Sequence, residues 1–332
     1  MTDRQMRSSS GRPGTEVLSW AQWAARVARS RPPTPFAAPR WLRMGLAATP
    51  GLRFVPLAVP VAGPAEEGGE VLLPVCVPAA SDSAQIGCFG YGTPCPGGSW
   101  PGAPLSLPWL AERVRAAVGA ARLVTLLPPP GVAPGLDLLA GHWAARPGRP
   151  TYLLGLDADR ARVWRTAKGS VRTAVRRARG HGLRALPPGP DDGPALLRLY
   201  RHTMERNGAP SPYGEADFTT LCGVPGAVPP RSPDVVAALV GDDDGPQAAA
   251  VFAVAGPAAY HILQVTSDAG RRTNAGHLAL WCALGTLAER GVRTVDLGSA
   301  AAPGQERFKT SWSAVPAATR LVRWPHGPEG DP

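Results

Sequence analysis

Lysine is nearly absent: only Lys168 and Lys309 stand among 35 basic residues, and the other 33 are arginine. Aromatic residues are sparse, at 6%. The five cysteines (Cys76, Cys88, Cys95, Cys222, Cys282) form no C-x-x-C pair and have no histidine at zinc-finger spacing, which speaks against a disulfide scaffold and a structural zinc site. Long apolar runs are missing too, since no stretch of about 18 residues is free of Pro, Gly and charge. The polar opening MTDRQMRSSSGRPGTE lacks the apolar centre of a signal peptide, so a soluble cytoplasmic protein without an integral membrane segment is expected. No G-x-S-x-G, H-E-x-x-H or Walker sequence occurs, which removes support for hydrolase and NTPase readings. Gly and Pro are plentiful, 39 each, but without a Gly-X-Y period, so collagen is excluded.

What is present starts with length. At 332 residues and 44% apolar composition the chain can bury two cores of ordinary size. The first 16 residues read as a disordered tail, and residues 17–150 and 151–315 as two domains divided after the Pro/Gly-rich stretch 128–150. Residues 316–332 read as a tail that returns to the first domain. The net charge of +10 is concentrated: residues 160–184 carry nine basic side chains and no acid. The abundance of Arg, Ala, Gly and Pro elsewhere reflects GC-rich coding and is not a functional signal.

Periodicity and turn residues order the elements. Ser19 caps a predicted helix that carries Trp20, Trp23 and Val27, and 52–59 with 71–77 read as a hairpin. A helix over 109–118 and a strand over 123–127 follow. In the second half a strand at 151–156 precedes one basic helix over 160–179, a helix over 195–207 and a short one over 215–222. Strands at 235–240, 247–254 and 259–265 are separated by the turns GDDDGP and AGP. A Gly/Arg loop (267–276), a helix (277–290, stopped by Gly291) and a strand (293–297) complete the order.

Three antiparallel strands, a loop, a helix and a strand resemble the core of the GNAT acyltransferase superfamily, whose loop holds the pyrophosphate of coenzyme A with backbone N–H groups and a helix N-terminus. The family pattern Q/R-x-x-G-x-G/A corresponds here to Arg271-Arg272-Thr273-Asn274-Ala275-Gly276, with Asn274 in place of a glycine. A closer resemblance is to the Fem-type branch, the aminoacyl-tRNA-dependent transferases. It is carried by Trp164 and Val171–Ala178 (VRTAVRRA), by Tyr200, Thr203, Arg206, Gly208 and Pro212-Tyr213, by Trp281, Gly291 and Asp296-Leu297-Gly298, and by Arg307-Phe308-Lys309. Pro35–Leu42 (PFAAPRWL) and Gly90-Tyr91-Gly92 are similar more loosely. The resemblance implies a mixed α/β fold of two tandem GNAT-like domains and transfer of an aminoacyl group from aminoacyl-tRNA to an amine. The acceptor would be a peptidoglycan precursor or a small molecule of secondary metabolism. Neither cofactor nor metal is called for.

Lys309, with Phe308, is the catalytic candidate: in a chain so poor in lysine, a compact ammonium stands where a guanidinium fork would not fit, and the resemblance implies that it serves catalysis. Lys168, Arg172, Arg176, Arg177 and Arg179 are candidates for tRNA or phosphate binding, because a solvated face normally mixes signs. Arg206, Tyr213, His261, Arg271 and Asn274 are expected around the donor or acceptor cleft. The rival readings are an acyl-CoA-dependent GNAT N-acyltransferase, against which the Asn274 side chain counts, and an inactive RNA-binding or scaffold protein.

Overall fold

The structure is a computed structural model that describes residues 14–30, 32–61, 69–79, 81–97, 107–119, 123–130, 144–157, 160–186, 192–222 and 234–325. Residues 1–13 of the expected tail and 326–332 lie outside these. Strand β1 (Glu16–Val17) precedes helix α1 (Trp20–Arg29), which starts on a full capping box: the Ser19 hydroxyl accepts from the Gln22 N–H and the Gln22 side chain accepts from the Ser19 N–H. Such a cap contributes about 1 kcal/mol. A 3₁₀ turn (Pro35–Ala37) leads into α2 (Pro39–Ala48). Then come β2 (Leu52–Val61), β3 (Gly69–Pro78), β4 (Ser83–Ile86), β5 (Cys95–Gly97), α3 (Leu107–Val118), β6 (Leu123–Leu126) and β7 (Ala144–Pro147).

The second half opens with β8 (Thr151–Gly155), α4 (Ala161–Thr166), α5 (Gly169–Gly180), β9 (Arg184–Ala185), α6 (Asp192–Arg206) and α7 (Glu215–Cys222). It continues with β10 (Val235–Asp242), β11 (Gly245–Ala255), β12 (Ala258–Thr266), α8 (Asp268–Arg272), α9 (Ala275–Glu289), β13 (Thr294–Ser299), α10 (Pro303–Ser311), β14 (Val315–Ala317) and β15 (Arg320–Pro325).

These elements build one unit twice. In the first sheet, ordered β1-β2-β3-β4-β6-β15-β7, antiparallel β2–β3–β4 is followed by α3 and by β6, parallel to β4. In the second, ordered β14-β8-β13-β12-β11-β10-β9, antiparallel β10–β11–β12 is followed by α9 and by β13, parallel to β12. Each parallel pair is flanked by an antiparallel strand from elsewhere in the chain, β15 beside β6 and β8 beside β13. The chain crosses between sheets after Pro147 and returns with β15, so the two α/β units are stitched together at both ends.

Two expectations change. The basic segment is not one helix: Ala167 and Lys168 are extended (ψ 145° and 149°) and separate α4 from α5. Gly169 and Ser170 after Lys168 are poor helix formers and favour the break. The loop 267–276 contains the short helix α8, capped by the Ser267 hydroxyl.

The apolar faces pack in two layers per sheet. Val163, Val171, Val175 and Ala178 of α4 and α5 join α9 on one face of the second sheet. Its other face meets α6 and α7 together with Phe36, Trp41 and Met44 from the first half, so the interface between the units is itself an apolar core.

Candidate active site between the units

β12 and β13 pair only from Ala258–Tyr260 against Thr294–Asp296, and beyond that point they splay. A bulge in β12 adds to the opening, because His261 faces Phe252 and Leu263 faces Val251, which leaves Ile262 unmatched. The bulge shifts the side-chain alternation, and His261, Ile262, Gln264 and Thr266 line one cavity of about 610 Å³. Its other walls include Arg206, Arg271, Gly298, Ser299, Gln305, Phe308 and Lys309. A second cavity, of about 430 Å³, lies between the units, and shares His261, Ile262, Gly298 and Ser299 with the first.

Lys309 sits on α10, which begins with Pro303 in its first turn. It is buried, at 8% exposure, and its Nζ donates to the carbonyls of Gly298 (2.8 Å) and Ser299 (2.6 Å). Gly298 has φ 75°, a left-handed turn. An ammonium has three N–H groups, so one remains for a ligand. Burial pushes the Lys309 pKa down to about 8, and the carboxylate of Asp296 opposes the shift.

His261 packs on the Phe252 ring (4.9 Å), and its buried Nε2 has no hydrogen-bond partner among the described residues. Burial first, and the Lys309 charge second, push its pKa down to about 4, so the imidazole is neutral at pH 7. The Gln264 side chain donates to the Gly276 carbonyl while its own oxygen is buried without a partner.

Asp296 joins the two units. Its Oδ2 accepts from the Tyr91 hydroxyl (2.6 Å), and its Oδ1 from the Thr151 hydroxyl and the Gly298 N–H (2.7 Å). Gly90 and Gly92 allow Tyr91 to reach it: a Cβ on Gly90 would strike the Phe36 ring at 2.6 Å, and one on Gly92 the Ile86 carbonyl oxygen at 1.6 Å. The sequence reading placed neither Asp296 nor Tyr91 in the site. An aspartate inside the apolar strand Thr294–Ser299 was the available signal.

Of the other sequence candidates, Phe308 lines the larger cavity and packs on His277 (5.1 Å). Arg206 donates to the Thr266 carbonyl (2.8 Å) and, with Arg271, borders the same cavity. Asn274 caps α9 at φ 63° and thus keeps the left-handed backbone that a glycine would supply. Tyr213 is not among the residues lining either cavity; it packs on Tyr200 (5.5 Å) and Phe218 (6.5 Å).

The basic segment divides by role. Arg172 Nη1 caps α4, donating to the carbonyls of Trp164, Arg165 and Ala167, so this side chain closes a helix end instead of reaching outward. Arg162 pairs with Asp157 (3.1 Å), Arg184 with Asp243 (2.6 Å), and Arg160 stacks on Trp281 (4.6 Å). Arg165, Lys168, Arg176, Arg177 and Arg179 are exposed, and none of them pairs with an acid among the described residues. Arg176 lies over the Trp164 ring at 5.6 Å. Lys168 starts this face, and its N–H donates to the Ser311 carbonyl (2.9 Å) at the end of α10.

Residues 165–310 match the family profile described as an acetyltransferase (GNAT) domain. Among solved structures, FemX is similar at a TM-score of 0.65 and 13% identity, over 93% of this chain and 97% of that one. L-PGS from Bacillus licheniformis is similar at 0.53 and 14%, over 87% and 92%. The C-terminal domain of a putative lysylphosphatidylglycerol synthetase from Agrobacterium fabrum is similar at 0.51 and 16%, over 76% and 80%. No curated protein sequence matches the chain. Residues 165–310 are thus similar to a GNAT acetyltransferase domain, and the whole chain shares the fold of FemX, built here from two α/β units. No described helix is long and apolar enough to cross a membrane.

Proposed function

We propose that the protein transfers an aminoacyl group from aminoacyl-tRNA to an amine acceptor and forms an amide. The observation that carries this reading is the backbone hydrogen bond from the Lys168 N–H to the Ser311 carbonyl: it ties the segment with five exposed, acid-free basic side chains to the last residue of the helix that holds Lys309. A polyanion lying on that face would bring its charged end to the cleft. Its ester lies in the splayed cavity, and the neutral amine attacks the ester carbonyl. The third N–H of Lys309 meets the oxygen on which negative charge develops. The neutral imidazole of His261, which lines the cavity, receives the proton that the attacking nitrogen loses and returns it to the ribose oxygen as the carbon–oxygen bond breaks. The ester is already activated, so neither ATP nor a metal enters the balance.

Acyl-CoA transfer is the rival. Asn274 itself does not distort the loop, but the N–H groups of Gly270, Arg271, Thr273 and Asn274 are spent inside the segment, on Ser267 Oγ and on the carbonyls of Ser267, Ala269 and Arg271. These four are not free for a pyrophosphate, while the N–H groups of Ala275 and Gly276 that open α9 form no such bond among the described residues, so an anion would meet the helix start alone; that narrowing supports the tRNA donor. The test is turnover with charged tRNA before and after RNase, beside acetyl-CoA. Amide formation abolished by RNase, with no saturable acetyl-CoA binding, is expected; RNase-insensitive turnover with an acyl-CoA establishes the rival.

A further inference from the structure

Asp296 is 4% exposed; the Lys309 ammonium acts on it electrostatically from the far side of the Gly298 turn, but no cation is in direct ion-pair contact with it among the described residues. A buried carboxylate normally has a cation against it. Among the described residues three hydrogen bonds reach this one, two at Oδ1 and one at Oδ2, whereas a carboxylate accepts about four, so Oδ2 has acceptor capacity beyond them. Asp296 also lines the cavity between the units. The wall beside it is aromatic: Phe36 lies 5.1 Å from Tyr260, Tyr91 5.8 Å from Tyr260, and Phe89 5.9 Å from Phe36. Aromatic faces and a carboxylate with spare acceptor capacity both select a cation. Arg149, exposed, is the single cationic side chain among the described lining residues, and His261 is neutral.

We propose that this cavity seats the acceptor, as a small primary ammonium with an aromatic or apolar body and no phosphate, its charge on Asp296 and its body against Phe36, Phe89 and Leu321. The assignment as the acceptor's seat rests on the transferase reading. His261 and Ile262 line both cavities, so an amine held here lies next to the donor cleft; the ammonium gives its first proton to solvent before attack, and His261 stays free for the proton lost in the transfer. A nucleotide-linked acceptor fits poorly, because its diphosphate would approach a buried carboxylate with one exposed arginine to offset the repulsion.

The test uses the whole protein without any donor and measures binding of 2-phenylethylamine, 2-phenylethanol and uridine diphosphate by calorimetry at pH 7. The amine should saturate and bind at least about tenfold more tightly than the alcohol, as one charge-assisted hydrogen bond in a desolvated site allows. Asp296→Asn should remove that preference and leave alcohol binding in place. Should this variant not fold, the wild-type comparison still decides, together with Leu321→Trp, which fills the cavity and should abolish amine binding. Equal affinity for amine and alcohol, no amine binding, or displacement of the amine by uridine diphosphate overturns the proposal and leaves Asp296 as a clamp between the units. Because no donor is present, RNase-insensitive turnover with intact amine binding would sink the donor reading alone.

Discussion

Lys309 and His261 line the same cavity, and the Lys309 charge makes a protonated His261 costlier. Lys309→Ala should lower kcat on the order of 100-fold while leaving tRNA affinity nearly intact, since the missing N–H is needed only once charge develops on the substrate oxygen. Lys309→Arg should not rescue turnover, because a fork cannot repeat the paired hydrogen bonds of Nζ to the Gly298 and Ser299 carbonyls. With its pKa near 8, the ammonium is lost as pH rises through 8, and the oxyanion contribution to kcat should fall there. His261 bears on stability. An unfolded histidine protonates near 6.5, whereas the folded one stays neutral to about 4, so the unfolded state binds more protons between those values. Urea unfolding should therefore show stability falling as pH drops from about 6.5 to 4, and His261→Gln should flatten that slope.

At the scale of elements, the junction between α4 and α5 separates two kinds of arginine that the sequence writes alike. Arg172→Ala should destabilise the fold by about 1–3 kcal/mol, because it strips a charged donor from three carbonyls at a helix end, and should barely change the salt dependence of tRNA binding. Arg176→Ala with Arg177→Ala should do the reverse: stability within about 0.5 kcal/mol, weaker tRNA binding, and a salt slope shallower by about 1 for each phosphate no longer neutralised. Thermal melts and filter binding across a salt series separate the two. The single predicted helix over 160–179 failed here because apolar spacing continues through the break: Val163, Ala167 and Val171 keep to one buried face although the backbone between them is extended.

For the molecule as a whole, β15 is the closure. It sits between β6 and β7, with Val322 buried in the first core, although it follows the second sheet in the chain. Ending the chain before Arg320 should strip the hydrogen-bonding partner from both β6 and β7, beyond the roughly 1.5–3 kcal/mol from burying Val322. A lower Tm, loss of a single cooperative transition in circular dichroism and self-association in size-exclusion chromatography are the expected outcomes.

Local chemistry in the sequence determined the order of strands and helices: the Ser19 cap, the GDDDGP and AGP turns, the Gly291 stop and the apolar runs in 235–265 each act within a few residues, and each reappears in the structure. It also determined that one segment would be basic and that Lys309 would stand apart. Only the tertiary structure decided that β12 and β13 part after Tyr260, that Arg172 turns inward, and that a cavity opens between the units. The residues that make the site lie far apart along the chain: Tyr91 meets Asp296 across 205 positions and Thr151 meets it across 145. Pairings at such separations leave no trace in periodicity or turn chemistry, because they depend on how two finished sheets pack and on where a bulge redirects one strand.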